Sequence, residues 1–255
     1  MIYAMIQARM GSSRLPGKVM KEVVGKPLLE HIIYRLSFCE KIDKIIVISS
    51  DEIENEPIKN LCDKINIDCF LGNENDVLDR YYRAAINFNL NDNDSIVRIT
   101  ADCPLIDPKI VDEVIVKHLE NNYDYTTNTL IRTYPDGLDC EVFTLTILRD
   151  MWDKAKLKSE REHVTLFIKN NPDNYKLGNL EQNVDLSDLR WTVDEKEDFI
   201  LIKNIYEALY DDEKIFLMED ILELLDNNPD LLKINDMYDT NEGLLKSLKN
   251  DEIVR

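Results

Sequence analysis

Apolar residues recur along this 255-residue chain in two spacings, short continuous runs and helical stripes. Ile2–Ala8 is an apolar run that ends in a loop. Lys44–Ser50 (KIIVISS) is a β-branched run of the kind buried on both faces of a sheet, Ile67–Leu71 is a further strand, and Ser95–Ala101 (SIVRITA) is another buried one. Pro27 opens a helix whose Leu29, Ile32, Ile33 and Leu36 share one face, and helices are also predicted over Pro57–Ile65, Val77–Phe88 and Pro108–Glu120. Strand and helix alternate with short connections, which predicts an α/β chain with a mostly parallel central sheet and helices on both faces.

After residue 122 the rhythm changes. Strands are expected at Tyr123–Asn128, Leu138–Phe143, Tyr175–Leu180 and Leu189–Val193, and helices at Leu145–Lys156, Glu160–Lys169 and Glu197–Leu209. No repeat or Pro/Gly linker interrupts the chain, so one domain is expected over 1–255, with halves at 1–122 and 123–194 and acidic C-terminal helices at 195–255.

Charge narrows the function. With 31 Lys and Arg against 50 Asp and Glu, the net charge is −19, which argues against a coat for nucleic acid polymers and against a membrane anchor. A hydrophobic fraction of 44% argues against disorder. The 5 cysteines include no C-x-x-C pair and read as reduced thiols, and neither a signal peptide nor a membrane span is evident, so the cytoplasm is the expected compartment.

The sign of the charge reverses locally. Residues 1–26 hold five bases (Arg9, Arg14, Lys18, Lys21, Lys26) and one acid, Glu22. Three of those bases lie in Gln7-Ala-Arg-Met-Gly-Ser-Ser-Arg-Leu-Pro-Gly-Lys18, directly after the first strand. Glycine allows close backbone approach and successive N–H groups form an anion nest, so this loop suits a polyphosphate. It is not a Walker loop, because five residues separate Gly11 from Gly17-Lys18 and Val19 stands where Ser or Thr would bind magnesium. The G-x-G-x-x-G spacing of dinucleotide folds is absent too.

This stretch resembles the signature loop of Rossmann-like (GT-A-like) nucleotidyltransferases, in particular the cytidylyltransferases of the acylneuraminate and 3-deoxy-manno-octulosonate type and the spore-coat polysaccharide group. The resemblance continues in order through Asp76-Val-Leu-Asp-Arg-Tyr-Tyr82, Arg98-Ile-Thr-Ala-Asp-Cys-Pro-Leu-Ile-Asp107, Tyr134-Pro-Asp-Gly-Leu-Asp-Cys-Glu141, Ser159-Glu-Arg-Glu-His163 and Arg190-Trp-Thr-Val-Asp-Glu-Lys-Glu-Asp198. It implies transfer of a cytidylyl group from CTP to a small sugar or polyol with release of pyrophosphate, a small inserted subregion for substrate and dimerisation, and a homodimer.

Asp102 follows a central strand and Asp194 follows the expected strand 189–193, where open α/β sheets place ligands. Two carboxylates with phosphate oxygens suit Mg²⁺, and the resemblance gives Asp102 and Asp194 that role. Helix capping is the plain alternative for both. The resemblance also implies that Gly11, Ser12, Ser13, Arg14 and Lys18 hold the β- and γ-phosphates, with Arg14, Lys18 and Asp102 catalytic. Arg9, Thr100 and Arg80 join the nucleotide side, and backbone groups at Gln7 and Ala8 are expected to read the cytosine.

For the acceptor, Asp136, Asp139 and Glu141 would take hydroxyl or amine protons, with Arg161 and His163 nearby, although a turn and a Ser159/Glu162 capping box would explain the same residues. Three acids repel a carboxylate, so an amino- or polyhydroxylated unit of a surface polysaccharide is expected. Two other readings stand beside this one. A GT-A-type glycosyltransferase would use a nucleotide-sugar donor and an Asp-x-Asp pair, whose second acid Asp102-Cys-Pro lacks, and a non-catalytic nucleotide-binding protein would need no metal.

Overall fold

The computed structural model describes residues 1–238, 247–249 and 251–254. In chain order the elements are β1 (Ile2–Gln7), a small hairpin of β2 (Glu22–Val23) and β3 (Lys26–Pro27), α1 (Leu28–Leu36), β4 (Lys44–Ser50), α2 (Glu56–Lys64), β5 (Asp68–Gly72), α3 (Val77–Asn87), β6 (Ser95–Thr100) and α4 (Pro108–Asn121). There follow β7 (Tyr125–Thr127), β8 (Glu141–Thr144), α5 (Leu145–Lys154), α6 (Lys158–Glu162), α7 (Leu166–Asn170), β9 (Leu177–Asn179), α8 (Lys196–Leu209) and α9 (Met218–Asn227).

Each strand sends successive residues to opposite faces of the sheet. Tyr3, Met5, Ile46, Ile48 and Ile96 pack beneath Leu78, Tyr81 and Ala84 of α3 and Leu148 and Met151 of α5. Ala4, Ile6, Val47, Val97 and Ile99 pack on the other face beneath α1, α2 and α4. The strands β5, β4, β1 and β6 are parallel neighbours. Then β8 runs antiparallel to both β6 and β7, and β9 is parallel to β7, which closes a seven-stranded sheet ordered β5-β4-β1-β6-β8-β7-β9. A third apolar cluster holds Trp191, Val193 and Tyr134 against α8 and α9.

Three expectations are corrected. Residues 189–193 form no strand; Arg190 makes one isolated bridge to Asp136, and the segment divides its bonds between two loops, Trp191 N–H to Asp136 O at 2.6 Å and Val193 N–H to Asp102 O at 2.8 Å. The single helix expected at 160–169 is two, α6 and α7, broken where buried Val164 adopts φ +52°. No Ser159/Glu162 capping box forms: Ser159 donates its N–H and hydroxyl to Asp251 at 3.0 and 2.6 Å, while Glu160 accepts from the Leu157 N–H at 3.3 Å. Of the expected acidic C-terminal helices, α8 and α9 are present, and residues 239–246, 250 and 255 lie outside the described residues.

Candidate active site

The carboxyl ends of β1 and β6 place the cationic loop beside Asp102. Met10 anchors the loop by donating its N–H to Asn55 Oδ1 at 2.8 Å, and its carbonyl accepts from the Ser12 and Gly17 N–H groups, each at 3.0 Å. Gly17 then turns with φ +68°, a left-handed conformation that favours glycine, into a single 3-10 turn starting at Lys18. Gly11 and Ser13 are exposed at the loop's outer edge, and the Ser12 hydroxyl accepts from the Leu15 N–H at 3.3 Å.

Every expected phosphate cation has an acidic partner. Lys18 Nζ lies 2.8 Å from Asp194 Oδ1, 3.2 Å from Asp102 Oδ2 and 2.7 Å from the Val193 carbonyl oxygen. Arg14 pairs with Asp194 at 2.9 Å and Glu195 at 3.3 Å, and Arg9 with Glu74 at 3.0 Å. Burial disfavours the charged forms of both Lys18 and Asp102, yet their mutual attraction prevails: the lysine is pushed up and Asp102 is held at about 2. Neither aspartate caps a helix. Asp107 caps α4, and Asp198 accepts the N–H groups of Asp194 and Glu195, each at 2.9 Å, at the start of α8.

These residues fit a divalent cation. Two carboxylates converge on one positive charge, one of them strongly ionised, and Mg²⁺ characteristically takes one or two carboxylates and completes its shell with water and phosphate. Among the described residues, no group of three or more His, Cys, Asp or Glu is arranged to hold a metal.

Two of the backbone groups expected to read the base bond at the end of the sheet: the Ala8 N–H, just past β1, donates to Ile48 O and the Gln7 carbonyl accepts from the Ala101 N–H, each at 3.0 Å. Gln7 Oε1 accepts from Arg98 Nε at 3.1 Å. Thr100 ends β6 with its hydroxyl 3.3 Å from Cys103 Sγ. Arg80 is 2% exposed and donates Nη1 to the Asn73 carbonyl at 2.8 Å, so it supports the β5–α3 turn from behind.

On the acceptor side the expected residues separate into two groups. Asp136 and Asp139 flank Arg132, whose guanidinium grips both Asp139 oxygens at 2.6 and 2.7 Å. Burial and the neighbouring Asp139 raise Asp136 to about 6 despite Arg132 and Arg190. Asp136 pairs through its backbone with the segment that leads to Asp194. Glu141, in contrast, is 4% exposed and saturated by Arg98, Lys169, Tyr125 and Thr165; burial would raise its pKa, but Lys169 and Arg98 hold it well below the usual carboxylate range. Arg161 is 3% exposed and clamps Asp76 through Nε and Nη2, at 2.7 Å for the shortest contact, so it is a tie between α6 and α3 and not a free ligand for an acceptor. His163 follows α6, with Nε2 buried and unpartnered, and burial pushes its pKa down.

Most of the chain matches known proteins. A family model described as cytidylyltransferase matches residues 3–243. The chain belongs to the cytidylyltransferase family. It is 37% identical over 238 residues to an uncharacterized protein of Methanocaldococcus jannaschii, covering 92% of this chain and 94% of that one. It is 33% identical over 238 residues to the spore coat polysaccharide biosynthesis protein SpsF of Bacillus subtilis, covering 90% and 95%. Among solved structures, a cytidylyltransferase from Leptospira borgpetersenii superimposes with a TM-score of 0.86 at 32% identity, over 93% of this chain and 99% of that chain.

In this cytidylyltransferase-family chain, several site residues escaped sequence reasoning. Glu74, just after β5, and Asn55, just before α2, steady the loop, and Arg190 joins Asp198 through two 2.9 Å bonds to fix the segment bearing Asp194. Arg132 shapes the Asp136/Asp139 pair. Arg190 and Asp198 carried a signal, since they delimit one of the recognised blocks; Glu74 and Asn55 are single polar residues whose loop partners lie 65 and 45 positions away, and Arg132 stands just before the block that holds Asp139.

Proposed function

We propose that this chain transfers a cytidylyl group from CTP to a hydroxyl of a small sugar or polyol used in surface polysaccharide, releasing pyrophosphate in an Mg²⁺-dependent reaction. The observation that carries this reading is the convergence of Asp102 and Asp194 on one positive charge beside a cationic glycine loop. Such a transfer needs positioning and charge neutralisation more than covalent help. Asp102 and Asp194 would hold the Mg²⁺, which supplies neutralisation of phosphate charge. Lys18, Arg14 and Arg9, with the amides of Gly11–Ser13, bind and orient the triphosphate. Asp136 and Asp139 would accept hydrogen bonds from hydroxyl or amine groups of the acceptor, and Arg132 keeps them oriented. Membership of the family and the likeness to a spore coat polysaccharide protein support the nucleotide and the acceptor class.

Pyrophosphate release is the test. Pure protein supplied with each of the four NTPs, Mg²⁺ and a panel of sugars and polyols should release pyrophosphate with CTP and one acceptor class, and Asp102→Asn should reduce the rate at least about a hundredfold. Release of a nucleoside diphosphate from a nucleotide sugar in place of pyrophosphate would establish a glycosyltransferase instead.

A further inference from the structure

The Lys18 side chain raises a stoichiometric problem for a residue expected to bind phosphate. An ammonium has three N–H donors and no acceptor. In this structure it has three oxygen partners, Asp102, Asp194 and the Val193 carbonyl, between 2.7 and 3.2 Å, and the residue is 9% exposed. Its donors are therefore used up, two of them by the carboxylates that would hold the metal. Arg14 is drawn the same way, with its guanidinium on Asp194 and Glu195.

We propose that Lys18 is a built-in counter-cation for the Asp102–Asp194 site, which a divalent ion displaces so that the freed ammonium turns to the triphosphate. This deepens the proposed function and rests on its assignment of the metal to Asp102 and Asp194. The exchange follows from charge. Two carboxylates taken partly out of water need a positive partner whether or not nucleotide is present, and the ammonium supplies one at the same oxygens. A divalent ion brings twice the charge to those oxygens, and a lysine released from them carries a full positive charge and three free donors. The backbone need not move for this, because Gly17 and the Met10 carbonyl fix the start of the turn while the four-carbon stem carries the ammonium.

Two consequences distinguish this from an ordinary phosphate-binding lysine. Metal and nucleotide help each other bind, because the metal removes the competitor that sequesters the lysine; coupling of this kind is typically about 5- to 150-fold. Removing the ammonium improves metal binding to the nucleotide-free protein while weakening CTP binding, whereas a lysine that touches only phosphate would leave the former unchanged.

The experiment measures Mn²⁺ binding to nucleotide-free protein by electron paramagnetic resonance, for the wild type and for Lys18→Met and Lys18→Gln. The neutral variants should bind Mn²⁺ about tenfold or more tightly than the wild type and bind CTP more weakly. Equal or weaker Mn²⁺ binding in folded variants overturns the exchange. The wild type gives a reading that needs no substitution: as Mg²⁺ alone is added, the Lys18 Nζ resonance and the side-chain carboxyl resonances of Asp102 and Asp194 should move along one binding curve. Carboxyl resonances that move while Lys18 stays fixed overturn the exchange alone. Carboxyl resonances that stay fixed at every Mg²⁺ concentration overturn both the exchange and the metal assignment beneath it.

Discussion

A methyl group on Gly137 would sit 2.5 Å from the Trp191 carbonyl carbon and 2.6 Å from the Thr192 nitrogen, and the residue has φ +114°, where side chains are strained. Both neighbours are backbone of the segment that carries Asp194, so neither yields without moving a proposed metal ligand. Gly137→Ala is therefore expected to cost roughly 2–4 kcal/mol of stability by urea unfolding and to weaken Mg²⁺-dependent CTP binding as well. A stable variant with unchanged CTP binding would mean that the turn tolerates the change without disturbing Asp194. The glycine's importance was legible in Pro135-Asp-Gly137 only as a turn. Its close approach to Trp191 was not, because two segments separated by more than fifty residues make that contact.

The tie between α3 and α6 is a property of elements and not of the site. Asp76 accepts from the Asp79 N–H at 2.8 Å, capping α3, and also receives the Arg161 fork, while Arg161 Nη1 reaches the Trp152 carbonyl at 2.9 Å. Arg161 is the buried partner, whereas Asp76 is 30% exposed and keeps its bond to the Asp79 N–H without it. Arg161→Ala should thus lower unfolding stability by about 1–3 kcal/mol with little change in the Michaelis constant for the acceptor, measured once the acceptor is known. A raised acceptor constant at unchanged stability would restore the role expected from sequence. Arg161 and Glu141 are tied to other side chains in this structure, and the sequence could not show it: a polar residue in a recognised block signals importance, and whether it meets another side chain is decided by elements far away in sequence. The parallel half, β1 through α4, was legible because each apolar run or stripe reports its own burial. Beyond α4 the antiparallel β8, the break at Val164 and the loop-bound segment 189–193 depend on pairing that periodicity does not encode.

For the whole molecule, the response to acid follows from its 3 histidines. Burial lowers His31, His118 and His163 alike, His118 to about 4, and all three therefore prefer the neutral form in the folded chain. Below an unfolded pKa of about 6.5 each histidine takes up its proton first in the unfolded chain, so each stabilises the fold above that pH and the contribution is lost as pH falls towards the lowered folded pKa, about 4 for His118. For His118, held 3.0 Å from the Thr126 hydroxyl against β7, the full shift corresponds to roughly 3 kcal/mol. Asp136 acts oppositely: its raised pKa of about 6 means that the folded chain gains stability as pH falls from 6 towards 4. Glu113, raised by burial and by Asp107, acts with Asp136; three imidazoles against these two carboxyls leave a net loss, although the falling charge of −19 relieves self-repulsion over the same range. Melting temperature should fall between pH 6.5 and 4.5, and His118→Gln, which has no proton to take up there, should flatten that fall whatever its packing costs at pH 7.5. A fall equally steep in the variant would place the acid sensitivity in other groups, and the carboxylates held ionised by lysine and arginine, Asp102 and Glu141, yield only at lower pH.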